Sequence, residues 1–276
     1  MSSNLAGNVL NCATYGFLTL NACQAAFKLL QPVHPKSIFG AKDFPTLEQE
    51  LGTENYPQGL RKDIFVVQLI PNPKPIEIDH MGANCTKWGY PIIEMPAGLR
   101  ETEPDAYRTL LLREAHKIRH NSRFLADALA VSVGLIALAV IGTRSHPFKK
   151  LLVTVSAMFL TNTLYNCFAN RRAEDWAIQT TPPKNLKSYL LIVKVMQEVS
   201  KAQNGWFVDD CGDPRWNFTG YKLSTIENKV RIKLMMAGIS AELTGDEQLN
   251  VQLYALSLMG ADRYEIQKQI AQGLLK

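Results

Sequence analysis

In the stretch Arg113-Glu114-Ala115-His116-Lys117-Ile118-Arg119-His120, two imidazoles stand four residues apart and a carboxylate precedes them. Residues at that interval share a helix face, so His116 and His120 can reach one metal ion together. A carboxylate from Glu174 or Asp175 would complete a two-histidine, one-carboxylate zinc site, with Glu114 activating water. The plainer reading makes His116 a core-edge residue and His120 a surface or metal-adjacent one. Read at the helical period from Asp105 to Arg123, Leu111, Leu112, Ala115 and Ile118 form an apolar stripe, with Arg113, Lys117 and His120 beside it. This predicts a buried helix that carries polar heads.

A second register of the same helix matters more. Zinc peptidases place His-Glu-x-x-His on a helix so that both histidines ligate and the Glu acts as general base. In that register Glu114 holds the base position, and Arg113 and Lys117 stand where the two ligands would be. Downstream come an apolar run, a short basic connection, a second apolar run and then Asn170-Arg171-Arg172-Ala173-Glu174-Asp175-Trp176-Ala177. This order resembles the membrane-linked zincin metallopeptidases of the HtpX type and the CAAX prenyl endopeptidases.

The resemblance implies that Asn170 occupies the third zinc-ligand position and that Glu174 replaces an Asp bracing a ligand histidine. Ala173, Trp176 and Ala177 match directly. Gly89 to Leu99 resembles the family's edge strand, on which an extended peptide is laid, and the turn into the active-site helix. Thr225 to Ile232 resembles the start of a later helix, without the His-Pro that relatives carry there. The match spans roughly residues 60 to 240. It implies an α+β, zincin-like fold, with a small mixed sheet packed on an active-site-type helix, an inserted apolar helical hairpin and a helical C-terminal part.

The substituted positions decide the chemistry. A guanidinium offers no lone pair, so Arg113 cannot ligate. A lysine amine ligates only after losing its proton, at roughly 4 to 5 kcal/mol near pH 7, which is less than the roughly 10 to 16 kcal/mol of a structural zinc site. Arginine therefore excludes the metal where lysine alone would not, and Asn170 adds only a neutral oxygen. The expected site is a salt-bridged plug without metal or other cofactor. In it Glu174, with Glu114 as a further candidate, pairs with Arg113 or Lys117, because a buried charge persists only when paired.

The elements that must position these groups follow from the rest of the chain. Its 276 residues, 46% hydrophobic, suffice for one sizeable core. The expected division is an N-terminal apolar helix and link over 1–56, then a zincin-like domain over 57–276 with an apolar hairpin inserted at 124–169. A net charge of +5 with scattered basic residues gives no nucleic-acid footprint, and five cysteines without paired spacing suit a reducing compartment.

Asn8 to Leu30 carries only Lys28 and predicts a helix lying on the domain or on a membrane surface, without the basic start of a cleaved signal peptide. A short helix is expected near Leu47 to Leu51. Asp63 to Ile70 and Tyr90 to Met95 read as strands. Ala128 to Gly142 and Leu151 to Ala169 form the apolar hairpin, which either enters a membrane, with the main domain on the cytoplasmic side, or pairs within a cytoplasmic protein. Helices follow over Leu186 to Ser200, Ile226 to Ile239, Glu247 to Met259 and Arg263 to Leu275. The loop Asn204 to Tyr221 between them holds Trp206, Trp216 and the pair Asp209-Asp210, a solvated turn or a cation site.

Three functions fit this pattern. The first is a noncatalytic pseudopeptidase that binds a peptide, a protease partner or a membrane protein. The second is an active zinc endopeptidase using the displaced His116/His120 site, and the third is a membrane scaffold.

Overall fold

No proline or glycine interrupts the chain between Pro147 and Thr180, and one 34-residue helix results. The apolar run Leu151 to Ala169 and the motif residues Asn170 to Ala177 therefore lie on one continuous helix. The computed structural model describes residues 2–30, 45–58, 60, 64–69, 84–85, 92–96, 99–120, 122–142, 145–215 and 222–258. Trp216, the turn at 97–98 and the helix expected over 263–275 lie outside them. In chain order the helices are α1 (Ser2–Leu30), α2 (Leu47–Leu51), α3 (Leu99–Thr102), α4 (Pro104–Arg119), α5 (Ser122–Ile141), α6 (Pro147–Thr180), α7 (Leu186–Asn204), α8 (Leu223–Met236) and α9 (Gly245–Leu258).

Helix accounts for 81% of the structure and strand for 4%, which overturns the α+β, zincin-like expectation. Among the described residues the strands are β1 (Phe65–Leu69), β2 (Asn84–Cys85) and β3 (Ile92–Pro96), in the order β1-β3-β2. β1 runs parallel to β3 with Phe65 opposite Ile92, and β2 runs antiparallel with Asn84 opposite Glu94. The two β-branched stretches of the sequence do form strands, but so few residues add only a small ribbon to a helical protein. The strand expected as the peptide-binding edge is also corrected, because β3 is hydrogen-bonded on both sides. Among the described residues β1 pairs along all of β3, and β2 covers Ile93 and Glu94 on the other side.

The chain divides into two compact units, and the division falls inside α4 and α6. One unit comprises 1–43, 86–91 and 117–171. Within it Leu18 of α1, Ala130 of α5 and Met158 of α6 form a buried cluster. The amide of Asn162 donates to Asp127 Oδ1 at 3.1 Å, and Asn166 donates to Asn162 Oδ1 at 2.6 Å, so polar groups bond α5 to α6.

The other unit comprises 44–85, 92–116 and 172–276. Val66, Ile93 and Met95 are buried on the sheet, as are Leu47 and Leu51 of α2. Tyr107, Leu110 and Leu111 of α4 are buried too, and Leu190, Val193 and Leu234 continue the core into α7 and α8. Ser188 of α7 accepts the Ala106 N–H at 3.3 Å, satisfying one free donor in the first turn of α4.

At the C-terminus of α6 the Lys233 ammonium donates to the carbonyls of Ile178, Gln179 and Thr181 at 2.5, 2.8 and 2.8 Å, a cation placed where the helix dipole favours one. Burial holds that ammonium below its ordinary pKa of 10.5. Between α7 and α8, Glu227 accepts Lys194 at 2.7 Å, Gln197 at 2.8 Å and Arg231 at 2.7 Å.

Burial of Glu227 acts to raise its pKa. The hydrogen bonds from Lys194, Gln197 and Arg231, with the Lys194 charge, outweigh burial and hold it below the ordinary 4.5. A depressed carboxylate contributes stability above its unfolded pKa and loses it as pH falls through the folded value. Glu227→Gln is therefore expected to lower stability by about 1 kcal/mol at neutral pH. Below pH 4.5 the variant should converge on the wild type in denaturation curves. A constant gap down to strong acid would count against this assignment.

Candidate functional site

Helix α4 is buried nearly all round, so its polar side chains must satisfy one another. The Arg113 guanidinium lies at the centre of this arrangement. Its Nε donates to Glu114 Oε1 at 2.8 Å, and a terminal nitrogen donates to Glu174 Oε2 at 3.4 Å. The side chains of Arg113, Glu114 and Glu174 are 5%, 0% and 1% exposed. Neighbouring helix positions normally diverge. The length of arginine allows its fork to fold back over Glu114 while still reaching α6.

A fourth member, Tyr189 of α7, donates its hydroxyl to the other oxygen of Glu174. Sequence reading missed it, because a tyrosine on the apolar face of an amphipathic helix reads as core filling. The available signal was its hydroxyl, since a buried tyrosine O–H needs an acceptor. Tyr189 is 1% exposed. The flanking Ala173 and Ala177 are fully buried, and these small side chains let α6 approach the cluster closely.

The remaining predicted positions disperse. Lys117 and Asn170 belong to the other compact unit, and each is half-buried. His116 is buried and packs against Trp176 in a tilted ring pair, with centroids 5.1 Å apart and planes inclined at 39°, whereas His120 is exposed at the end of α4. Asp175 pairs with Lys229 of α8. Among the described residues, no three His, Cys, Asp or Glu side chains are placed to hold a metal ion. The displaced set of His116, His120, Glu174 and Asp175 is therefore not assembled as a site.

No family model, curated protein or solved structure matches the chain.

The arrangement itself then carries the chemistry. A guanidinium bonded to two carboxylates has no lone pair to offer a metal ion. Glu114 Oε1 is engaged by that guanidinium, and the Glu114 side chain is fully buried. This geometry clamps α4 to α6 and α7.

The loop after α7 is likewise structural. Asp209 Oδ1 accepts the N–H groups of Cys211 and Asp213 at 2.9 and 3.0 Å, which closes a turn. Asp213, 1% exposed, receives the N–H of Leu223 at 2.5 Å and that of Ser224 at 3.2 Å, capping α8 from outside the helix. The Gly212 φ of +73° and the 2.6 Å from an added Cβ to the Gln197 carbonyl oxygen both require glycine in this turn. Elsewhere in the same unit a cavity of about 280 Å³ lies between the start of α4, α7 and α9. Its floor is Leu191, Ile192, Val195 and Val251, and Glu103 and Tyr254 stand at its polar edge.

Proposed function

We propose that this protein is a noncatalytic, metallopeptidase-like membrane protein that binds a protein or peptide partner. The observation that carries this reading is Arg113. Its buried guanidinium sits at a metal-ligand position of the motif register and is bonded to the base-position Glu114 and to Glu174. The cluster supports loss of the metal with its charge supplied by a side chain, a replacement that keeps the helices together without the chemistry.

Membrane association rests on α5 and α6. Each contains a stretch long and apolar enough to cross a bilayer, and only 17% and 11% of the residues in those stretches are buried, whereas the core helix of a soluble protein is mostly buried. The polarity of the pair is inverted. Leu135, Ile136, Val140, Phe159 and Leu160 point outward, while Asp127, Thr154 and Asn162 are buried or half-buried. Helices packed in lipid show this distribution, with small and polar residues at their contacts. For partner binding, the cavity beside α7 and α9 offers an apolar floor with a carboxylate at its edge.

Elemental mass spectrometry of the purified full chain after equilibration with zinc tests the catalytic question. The wild type is expected to hold far less than one equivalent, unaffected by His116→Ala with His120→Ala. A full equivalent lost in that double variant would overturn the proposal in favour of an active peptidase.

A further inference from the structure

Resting on the membrane reading of α5 and α6, we propose that α1 is a third membrane-spanning helix, parallel to α6 and in register with it, whose outer face is covered by lipid hydrocarbon. The buried and half-buried positions of α1 whose burial is described fall at Gly7, Leu10, Asn11, Thr14, Leu18, Asn21 and Ala25. Leu10 and Asn11 share one turn, and from Asn11 onward the intervals alternate between three and four, the seam of a left-handed helix pair. Apart from Leu10 and Leu18 the seam is small or polar, whereas Val9, Tyr15, Phe17 and Leu20 are exposed. A helix lying on a soluble core would show the reverse.

Two close approaches fix direction and depth. A Cβ on Gly7 would lie 3.4 Å from Pro147 Cγ, at the start of α6. A Cβ on Gly134 would come within 2.6 Å of Met158 and 3.0 Å of Leu18, so α1, α5 and α6 converge at that glycine. The same number of residues separates Gly7 from Leu18 as separates Pro147 from Met158. Helices α1 and α6 therefore rise together from the hairpin tip.

Composition hides this span, since α1 contains several amides and hydroxyls. Two of them are satisfied within the helix. Thr14 Oγ1 donates to the Leu10 carbonyl at 2.9 Å, and the Asn21 amide donates to that of Phe17 at 2.8 Å. Backbone-satisfied polar groups of this kind are tolerated in hydrocarbon. The helix has 29 residues, about 43 Å at 1.5 Å per residue against a hydrocarbon core of about 30 Å, and its only charge is Lys28, near one end. A surface-lying helix would place the chain start on the same side as its own C-terminal end. A spanning one places it at the hairpin tip.

The test uses the full chain in bacterial inner membranes, with single cysteines in an otherwise Cys→Ser background and a membrane-impermeant maleimide applied to spheroplasts and to inverted vesicles. The reporters are Ser3→Cys, Ser145→Cys at the tip and the native, exposed Cys211. Ser3→Cys and Ser145→Cys are expected to label from one side and Cys211 from the other. If Ser145→Cys and Cys211 label from opposite sides while Ser3→Cys follows Cys211, the hairpin spans and α1 does not, which overturns this inference alone. If Ser145→Cys and Cys211 label from one side, the membrane reading fails and this inference with it. Independently of topology, Gly7→Cys with Pro147→Cys should form an intramolecular disulfide under mild oxidation. Gly16→Cys with Pro147→Cys should not, because nothing lies within 4 Å of a Cβ on Gly16. Equal cross-linking of both pairs would also overturn the register.

Discussion

Replacing Arg113 with methionine is expected to destabilise the protein by about 3–5 kcal/mol, the cost of removing one partner from a buried ion pair. The guanidinium bridges Glu114 at 2.8 Å and Glu174 at 3.4 Å, and neither carboxylate has appreciable access to water. Without it, two buried acids on facing helices lose the cation they share. Against a typical total of about 5–15 kcal/mol, such a loss is a large fraction of stability. It should lower the melting temperature in detergent by roughly 10 °C.

Arg113→Lys keeps the charge but presents a single point where the fork serves two acceptors, so an intermediate loss of about 1–2 kcal/mol is expected. Combining Arg113→Met with Glu114→Leu, Glu174→Leu and Tyr189→Phe removes charges and partners together, and should recover most of the stability. Circular dichroism melts of the four proteins decide the matter. A loss below about 1 kcal/mol for Arg113→Met would mean that the cluster does not hold α4 to α6 and α7.

How much of this was legible before folding varies with the range of the interaction. The helix carrying Arg113 was readable because its apolar stripe has the helical period, and the observed span Pro104–Arg119 lies within a few residues of the expected one. The strands at Phe65–Leu69 and Ile92–Pro96 were readable from β-branched runs bounded by prolines. Which of them would be central was not, since pairing order depends on residues distant in the chain. The resemblance to zincins made the sheet too prominent by assigning family architecture to short motifs.

The ionic cluster followed a local rule, that a buried arginine needs carboxylates. Its tyrosine came from a helix that showed only amphipathic periodicity. The same limit applied to α1, expected to lie on the domain or on a membrane surface, because composition alone does not show Thr14 and Asn21 lining one face and bonded to their own helix.

Phe159→Arg gives the second large effect and separates the environments available to α6. Phe159 is 73% exposed and lies near the middle of the apolar part of the helix. If that face met water, an arginine there would change stability by no more than about 0.5 kcal/mol, as surface substitutions usually do, and would improve solubility. In a bilayer the same side chain opposes insertion by about 2.5–3.5 kcal/mol, and adding Ile136→Arg on α5, also exposed, should roughly double that. The wild type should resist alkaline carbonate extraction, Phe159→Arg should be partly released, and the double variant largely so. Phe159→Leu is the control, since it preserves the apolar face. If both arginine variants behave as the wild type does, the exposed apolar residues of α6 do not face lipid. A shift in oligomeric state with no change in extraction would then assign the surface to contact between copies of the chain. The inversion of polarity between the helix contacts and their outer faces favours lipid, because a soluble assembly would leave the Asp127–Asn162–Asn166 chain in a small core and its largest side chains outside it.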